Sequence, residues 1–147
     1  MSTEAAFLHV DLSTGSMERR SLDASLLSDW LGGRGLAGCF LRPRCRESWD
    51  SPDMPLVLMT GPLAGTPAPS PGRMCIMSRS PLTGTVGDCS VGGAMAFQLG
   101  RAGWAGIVFT GRSPKPCGLE VRDGKASLVD ATGLLGRDVA EIRSLLR

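Results

Sequence analysis

Two places in this chain combine residue types and spacing suited to holding an anion. One is Gly72-Arg73. The other is Gly92-Gly93, which stands just before a helical pattern beginning at Ala94. Both belong to one stretch, Gly61 to Gly93, that crowds glycine and proline around a short apolar run, Met74 to Met77. Glycines ahead of a helix let backbone N–H groups approach a ligand, and the first helical turn has N–H groups without internal partners. An arginine beside them adds a planar fork matched to phosphate. The stretch therefore reads either as a cradle for a phosphorylated or pterin-like cofactor or as two tight turns flanking a strand.

Other chemistries are poorly supplied. The five cysteines (Cys39, Cys45, Cys75, Cys89 and Cys117) include no C-x-x-C pair, which argues against a zinc ribbon, a self-contained iron–sulfur site or a redox dithiol. They are expected to be buried free thiols, since free cysteine behaves as a small apolar residue. The single histidine, His9, lies in an alternating run and is expected on a strand face, not at a metal. With one histidine, no Ser-His-acid arrangement can be argued. The acid pairs Asp50/Asp53 and Asp138/Glu141 are explained by a solvated loop and by helix charge. There is no G-x-x-x-x-G-K-[ST], and Gly32-Gly33-Arg34-Gly35 falls at a helix end, the wrong side for a dinucleotide fingerprint.

These residues need a scaffold. At 147 residues the chain is enough for one domain, and its 20% charged content is globular rather than disordered. A formal charge of +2 speaks against a dedicated nucleic-acid surface. No apolar run approaches the roughly 18 residues of a membrane span, and the N-terminus has no signal-peptide pattern, so a cytoplasmic location is expected. Ala5 to Leu12 and Met17 to Leu22 read as a hairpin. Asp23 caps a helix that Gly32-Gly33 end in the left-handed way, and a second helical piece covers Gly35 to Leu41. Strands follow at Leu56 to Thr60 and Met74 to Ser78, a helix at Ala94 to Ala102, and a buried strand at Ala105 to Thr110. A hairpin around Asp123-Gly124 and a last helix from about Gly136 complete the series. Strand pairs with helices between them predict an α+β fold rich in antiparallel sheet.

The order of several motifs goes further. WLGGRGL (Trp30 to Leu36), GPLAGTPAP (Gly61 to Pro69) followed by Gly72-Arg73, SPLTG (Ser80 to Gly84), GDCSVGG (Gly87 to Gly93), LGRAGWAGIVFTG (Leu99 to Gly111) and DGKASLVDA (Asp123 to Ala131) follow one another in a single register. This series resembles the N-terminal domain of the aldehyde ferredoxin oxidoreductase family, tungsten or molybdenum bis-pterin enzymes. The resemblance covers nearly all of residues 1–147, as one domain. It implies a base-like domain carrying tungstopterin or molybdopterin on one surface. The implied reaction is oxidation of an aldehyde to its acid, with ferredoxin as electron acceptor. The arginine and glycine roles toward the pterin and its phosphate carry over to Arg73, Gly92 and Gly93.

Two departures matter. Ser90 stands where the family has an asparagine that helps hold magnesium between pterin phosphates, and a hydroxyl reaches less far than the amide. The family's second-pterin segment, its 4Fe-4S cysteines and its residues near the metal also have no counterpart among residues 1–147. The resemblance therefore implies no catalytic or metal-ligating residue in this sequence and an incomplete site. The first expectation is the metallopterin-binding part of a split oxidoreductase, completed by a second subunit that carries the C-terminal domains. The alternatives are a non-catalytic pterin-binding or assembly module, and a relic that binds nothing. Uncovered apolar surface, with self-association or dependence on a partner, is expected with the first.

Overall fold

A computed structural model describes residues 5–122 and 124–146. They fall into two compact units, one up to Arg112 and one from Ser113 onward.

The first unit is built on a six-stranded sheet. The strands are β1 (Ala6–Asp11), β2 (Met17–Ser21), β3 (Leu56–Thr60), β4 (Met74–Arg79), β5 (Val86–Val91) and β6 (Gly106–Thr110). Their spatial order is β2-β1-β6-β3-β4-β5. Every neighbouring pair is antiparallel except β1 and β6, which are parallel. The apolar runs at β3 and β6 become the central strands because both of their faces are covered. Val57, Met59, Ile107 and Val108 are all buried. The mixed α+β class with a largely antiparallel sheet is the one read from the sequence.

Three helices accompany the sheet: α1 (Ala24–Trp30), α2 (Gly33–Leu41) and α3 (Ala94–Arg101). Asp23 caps α1, its carboxylate accepting a hydrogen bond from the Ser25 N–H at 3.2 Å. Along a strand alternate residues share a face, and so do directly opposed residues of paired strands. One face thus carries Phe7, Val108, Val57, Met59, Cys75 and Met77, which join Leu36, Ala37 and Leu41 of α2 in one core cluster.

Three expectations need correction. Gly32-Gly33 do not end α1: its C-cap is Leu31 (φ 61°), while Gly32 is the N-cap of α2 and Gly33, with φ 52°, its first residue. The G-G-R-G segment therefore opens a helix as well as following one. The strand β5 has no counterpart in the sequence reading, which assigned no element between the turn at Ser80 to Gly84 and the helix at Ala94. It is an edge strand with mostly exposed side chains, so it lacks the alternation that betrays a half-buried strand. Finally, the five thiols are free but not all buried. Cys75 is buried, Cys39 and Cys117 are partly covered, and Cys45 and Cys89 are exposed. Cys89 is exposed because it belongs to that edge strand.

The second unit holds the hairpin of β7 (Cys117–Arg122) and β8 (Lys125–Asp130), a 3-10 turn (Thr132–Leu134) and α4 (Val139–Leu145). Asp123 of the expected Asp-Gly turn lies outside the described residues. Asp138 and Glu141 form a reciprocal capping box at the start of α4. No described residue of this unit is buried, and Leu135, Val139, Leu145 and Leu146 are largely exposed. A lone two-stranded hairpin is marginally stable in water.

Candidate functional site

The sheet register brings the glycine-rich segments to one end. Thr60, Met74 and Val91 stand in a single row across β3, β4 and β5. The segment after Thr60, the segment before Met74 and the segment after Val91 consequently all leave the sheet at the same edge. Ala105, just before β6, is there too, accepting hydrogen bonds from the Thr60 N–H at 2.8 Å and the Thr60 hydroxyl at 2.9 Å. Thr60 is buried, so its hydroxyl needs this partner. Thr60→Val should lower the unfolding free energy by about 1 kcal/mol in urea titrations; an unchanged midpoint would show that the side-chain bond contributes nothing.

Close backbone approaches hold these segments together. A Cβ on Gly32 would stand 2.9 Å from the Thr60 carbonyl oxygen, and one on Gly72 would stand 2.9 Å from that of Gly93. A Cβ on Gly100 would run into the Ala64 carbonyl and the Gly65 nitrogen, and one on Gly65 into the Gly100–Arg101 peptide. Four separate pieces of chain thus meet with no room for side chains.

The expected site residues lie within this assembly. The Arg73 guanidinium donates a hydrogen bond from Nη1 to Ser90 Oγ at 3.3 Å. Gly72, its neighbour, packs against Gly93, the N-cap of α3. Arg73, Ser90 and Gly93 are thereby brought together, with Gly92 between the last two. Gly92 and Gly93 differ in why they are glycine. Gly93 has φ +120°, which side-chain-bearing residues rarely adopt, whereas Gly92 has no such backbone and a Cβ there would meet nothing within 4 Å. Nothing inside the fold asks for glycine at Gly92. The N-cap of α3 makes no side-chain hydrogen bond to the first-turn N–H groups, and neither does that of α2.

A second arginine borders the same face. Arg34, in the first turn of α2, donates from Nε to the Asp88 carboxylate at 2.5 Å. Asp88 opposes Met77 and Ser90 opposes Cys75, so both polar side chains edge the core-bearing face. The bond to Asp88 raises the Arg34 pKa further and keeps the guanidinium charged. Burial pushes the Cys75 thiol up, assisted by Asp88 and opposed by Arg34, so Cys75 is an inert core thiol. The sequence reading missed the Arg34–Asp88 pair, because 54 positions separate the partners. The one available signal was an arginine flanked by glycines.

A cavity of about 620 Å³ opens at this end of the sheet, lined among others by Leu36, Gly32, Thr60, Gly61, Thr66 and Trp104. Arg73, Ser90, Gly92 and Gly93 are not in its lining. Among the described residues no three histidine, cysteine, aspartate or glutamate side chains gather where they could hold a metal. Nor is any described helix long and apolar enough to cross a membrane. The arrangement is bare backbone at a helix start with a guanidinium and a hydroxyl alongside, a combination of groups that can hold an anion.

The chain belongs to the aldehyde ferredoxin oxidoreductase family: the model of the family's N-terminal domain matches residues 7–147, across both compact units. It is 36% identical over 143 residues to the tungsten-containing aldehyde ferredoxin oxidoreductase of Pyrococcus furiosus, covering 96% of this chain and 24% of that protein. The namesake from Thermococcus kodakarensis matches to the same extent. Among solved structures, the active site complex BamBC of benzoyl coenzyme A reductase, in complex with 1,5-dienoyl-CoA, superposes with a TM-score of 0.92 at 32% identity. That match covers 97% of this chain and 22% of the other. The chain thus spans about a quarter of the length of the curated relatives it matches.

Proposed function

We propose that this chain is the metallopterin-binding portion of an aldehyde ferredoxin oxidoreductase-type enzyme, completed by a companion polypeptide. The observation that carries the reading is the meeting of Arg73 and Ser90 with Gly92-Gly93 at the start of α3. In this reading Arg73 binds a pterin phosphate, and the N–H groups around Gly92 and Gly93 bind and orient it. Ser90 holds the Arg73 fork in place. Its hydroxyl also offers an oxygen to a magnesium ion beside the phosphate, at shorter reach than an asparagine amide. When bound, the tungsten or molybdenum pterin supplies the two-electron oxidation of an aldehyde to its acid. In this reading the described side chains bind and orient the cofactor, and none of them is assigned a role as acid, base or nucleophile. The 4Fe-4S cluster, the residues near the metal and the ferredoxin contact belong to the polypeptide that supplies the rest of the relatives' length.

The second unit favours a companion. Leu135, Val139, Leu145 and Leu146 present an apolar surface that its own hairpin does not bury. Surfaces of that kind mark interfaces, and without its partner the chain is expected to self-associate. These exposed side chains also weigh against a free-standing pterin carrier, which would have to keep them in water. The test is isolation of the chain from its native host, with metal, pterin and protein analysis of what accompanies it. Tungsten or molybdenum, a pterin and a second polypeptide of the remaining length are expected together. A chain that is monomeric at all concentrations and carries neither pterin nor metal would refute the reading.

A further inference from the structure

A second, smaller cavity of about 300 Å³ lies at the other end of the sheet, toward the C-terminal ends of β1 and β6. Phe7, Phe40, Pro55 and Val108 supply its apolar wall, and His9, Arg20, Arg44, Asp53 and Thr110 its polar lining. Phe7 and Phe40 hold each other edge to face, with ring centroids 4.8 Å apart. We propose that this cavity binds a small zwitterion of the α-amino-acid type with an apolar side chain, Arg44 and Arg20 taking its carboxylate and Asp53 its ammonium.

The argument rests on charges that share a cavity without touching. Arg44 and Asp53 both line it, yet among the described residues neither forms an ion pair. Arg20 is held from behind by Glu18, whose carboxylate accepts from Nε at 3.0 Å and Nη2 at 2.8 Å, leaving the Nη1 edge of the fork for another partner. The lining thus offers separated positive and negative groups beside an aromatic wall. A ligand bearing both charges satisfies both, whereas a simple anion would meet Asp53 and a simple cation would meet two guanidinium groups.

His9 stands in the wall of the cavity. Its Nε2 pairs with Thr110 Oγ1 at 3.1 Å, while Nδ1 is buried with no partner among the described residues. A buried polar atom without a partner is costly, and Nδ1 is closed off from the open part of the cavity as well, so His9 serves here as a reporter in the wall and not as a ligand contact. Burial and the nearby Arg20 lower the His9 pKa, against smaller raising effects of Glu18 and Asp11, so the ring is neutral and can either donate or accept. The volume lies at the lower end of the roughly 300–1,000 Å³ typical of small-molecule pockets. This inference is independent of the pterin reading, because none of its residues belongs to that site.

The test uses the whole chain with leucine, 4-methylpentanoate (leucine without its amine) and 3-methylbutylamine (leucine without its carboxylate). Calorimetry measures affinity, and proton NMR follows the single histidine, whose signals are unambiguous. Leucine should bind saturably and shift the His9 ring resonances, and each truncated analogue should bind at least about tenfold more weakly. Arg44→Ala and Asp53→Asn should each weaken leucine about tenfold with unchanged circular dichroism, since both residues are exposed. The proposal is overturned if leucine causes no saturable shift, if 4-methylpentanoate binds as tightly as leucine, or if both variants keep full affinity.

Discussion

Gly100→Val should destabilise the first unit by about 3 kcal/mol, whereas Gly92→Val should leave its stability within about 0.5 kcal/mol of the starting protein. The contrast follows from what each new side chain meets. At Gly100 a Cβ runs into the Ala64 carbonyl and the Gly65 nitrogen, and backbone cannot rotate aside as a side-chain tip can. Either α3 or the loop after β3 has to move, and with it the segments that meet at this end of the sheet. For a domain with a total stability of about 5–15 kcal/mol, that loss lowers the melting temperature by roughly 10 °C or more. At Gly92 a Cβ meets open space and the backbone is not left-handed. Thermal melts of the two variants check both halves. Equal melting temperatures would mean that the loop of Gly61 to Gly72 yields freely, and that its glycines are not structural.

Arg73→Ala should weaken pterin cofactor binding by at least about tenfold and leave the melting temperature unchanged. Hydrogen bonds to charged groups contribute about 1.5–3 kcal/mol, and about 1.4 kcal/mol corresponds to a factor of ten in affinity. Among the described residues the guanidinium makes one long bond, to the exposed Ser90. Its loss therefore costs the fold little, while an anionic ligand would lose a planar two-donor contact. Arg73→Lys is the informative companion: it keeps the charge and loses the fork, so an intermediate affinity is expected. Titration of apo-protein with the extracted cofactor, followed by its fluorescence, measures all three proteins. Identical affinities would remove Arg73 from the site.

Much of this could be read from residues in order. The apolar runs of β3 and β6 announced buried strands, Asp23 announced a helix start, and the glycine pairs announced places where backbone is left bare. What could not be read lies where long-range pairing overrides local pattern. β5 is a strand because β4 pairs with it, not because Val-Gly-Asp-Cys-Ser-Val has a strand's alternation. The exposure of Cys89 follows from that edge position, and α1 is capped at Leu31, before the two glycines, which open the next helix. The pairing of Arg34 with Asp88 depends on where α2 begins on the sheet. For the site, Arg73, Ser90, Gly92 and Gly93 were singled out on type and motif. The fact that distinguishes Gly92, an open Cβ position with an ordinary backbone, exists only in three dimensions.

The account turns on whether that bare backbone faces a cofactor. The most direct measurement is the pterin released from the protein isolated from its native host, for the parent protein and for Gly92→Val. Bound pterin in the parent and none in a Gly92→Val protein of unchanged melting temperature is the predicted result. Equal pterin in both would contradict it.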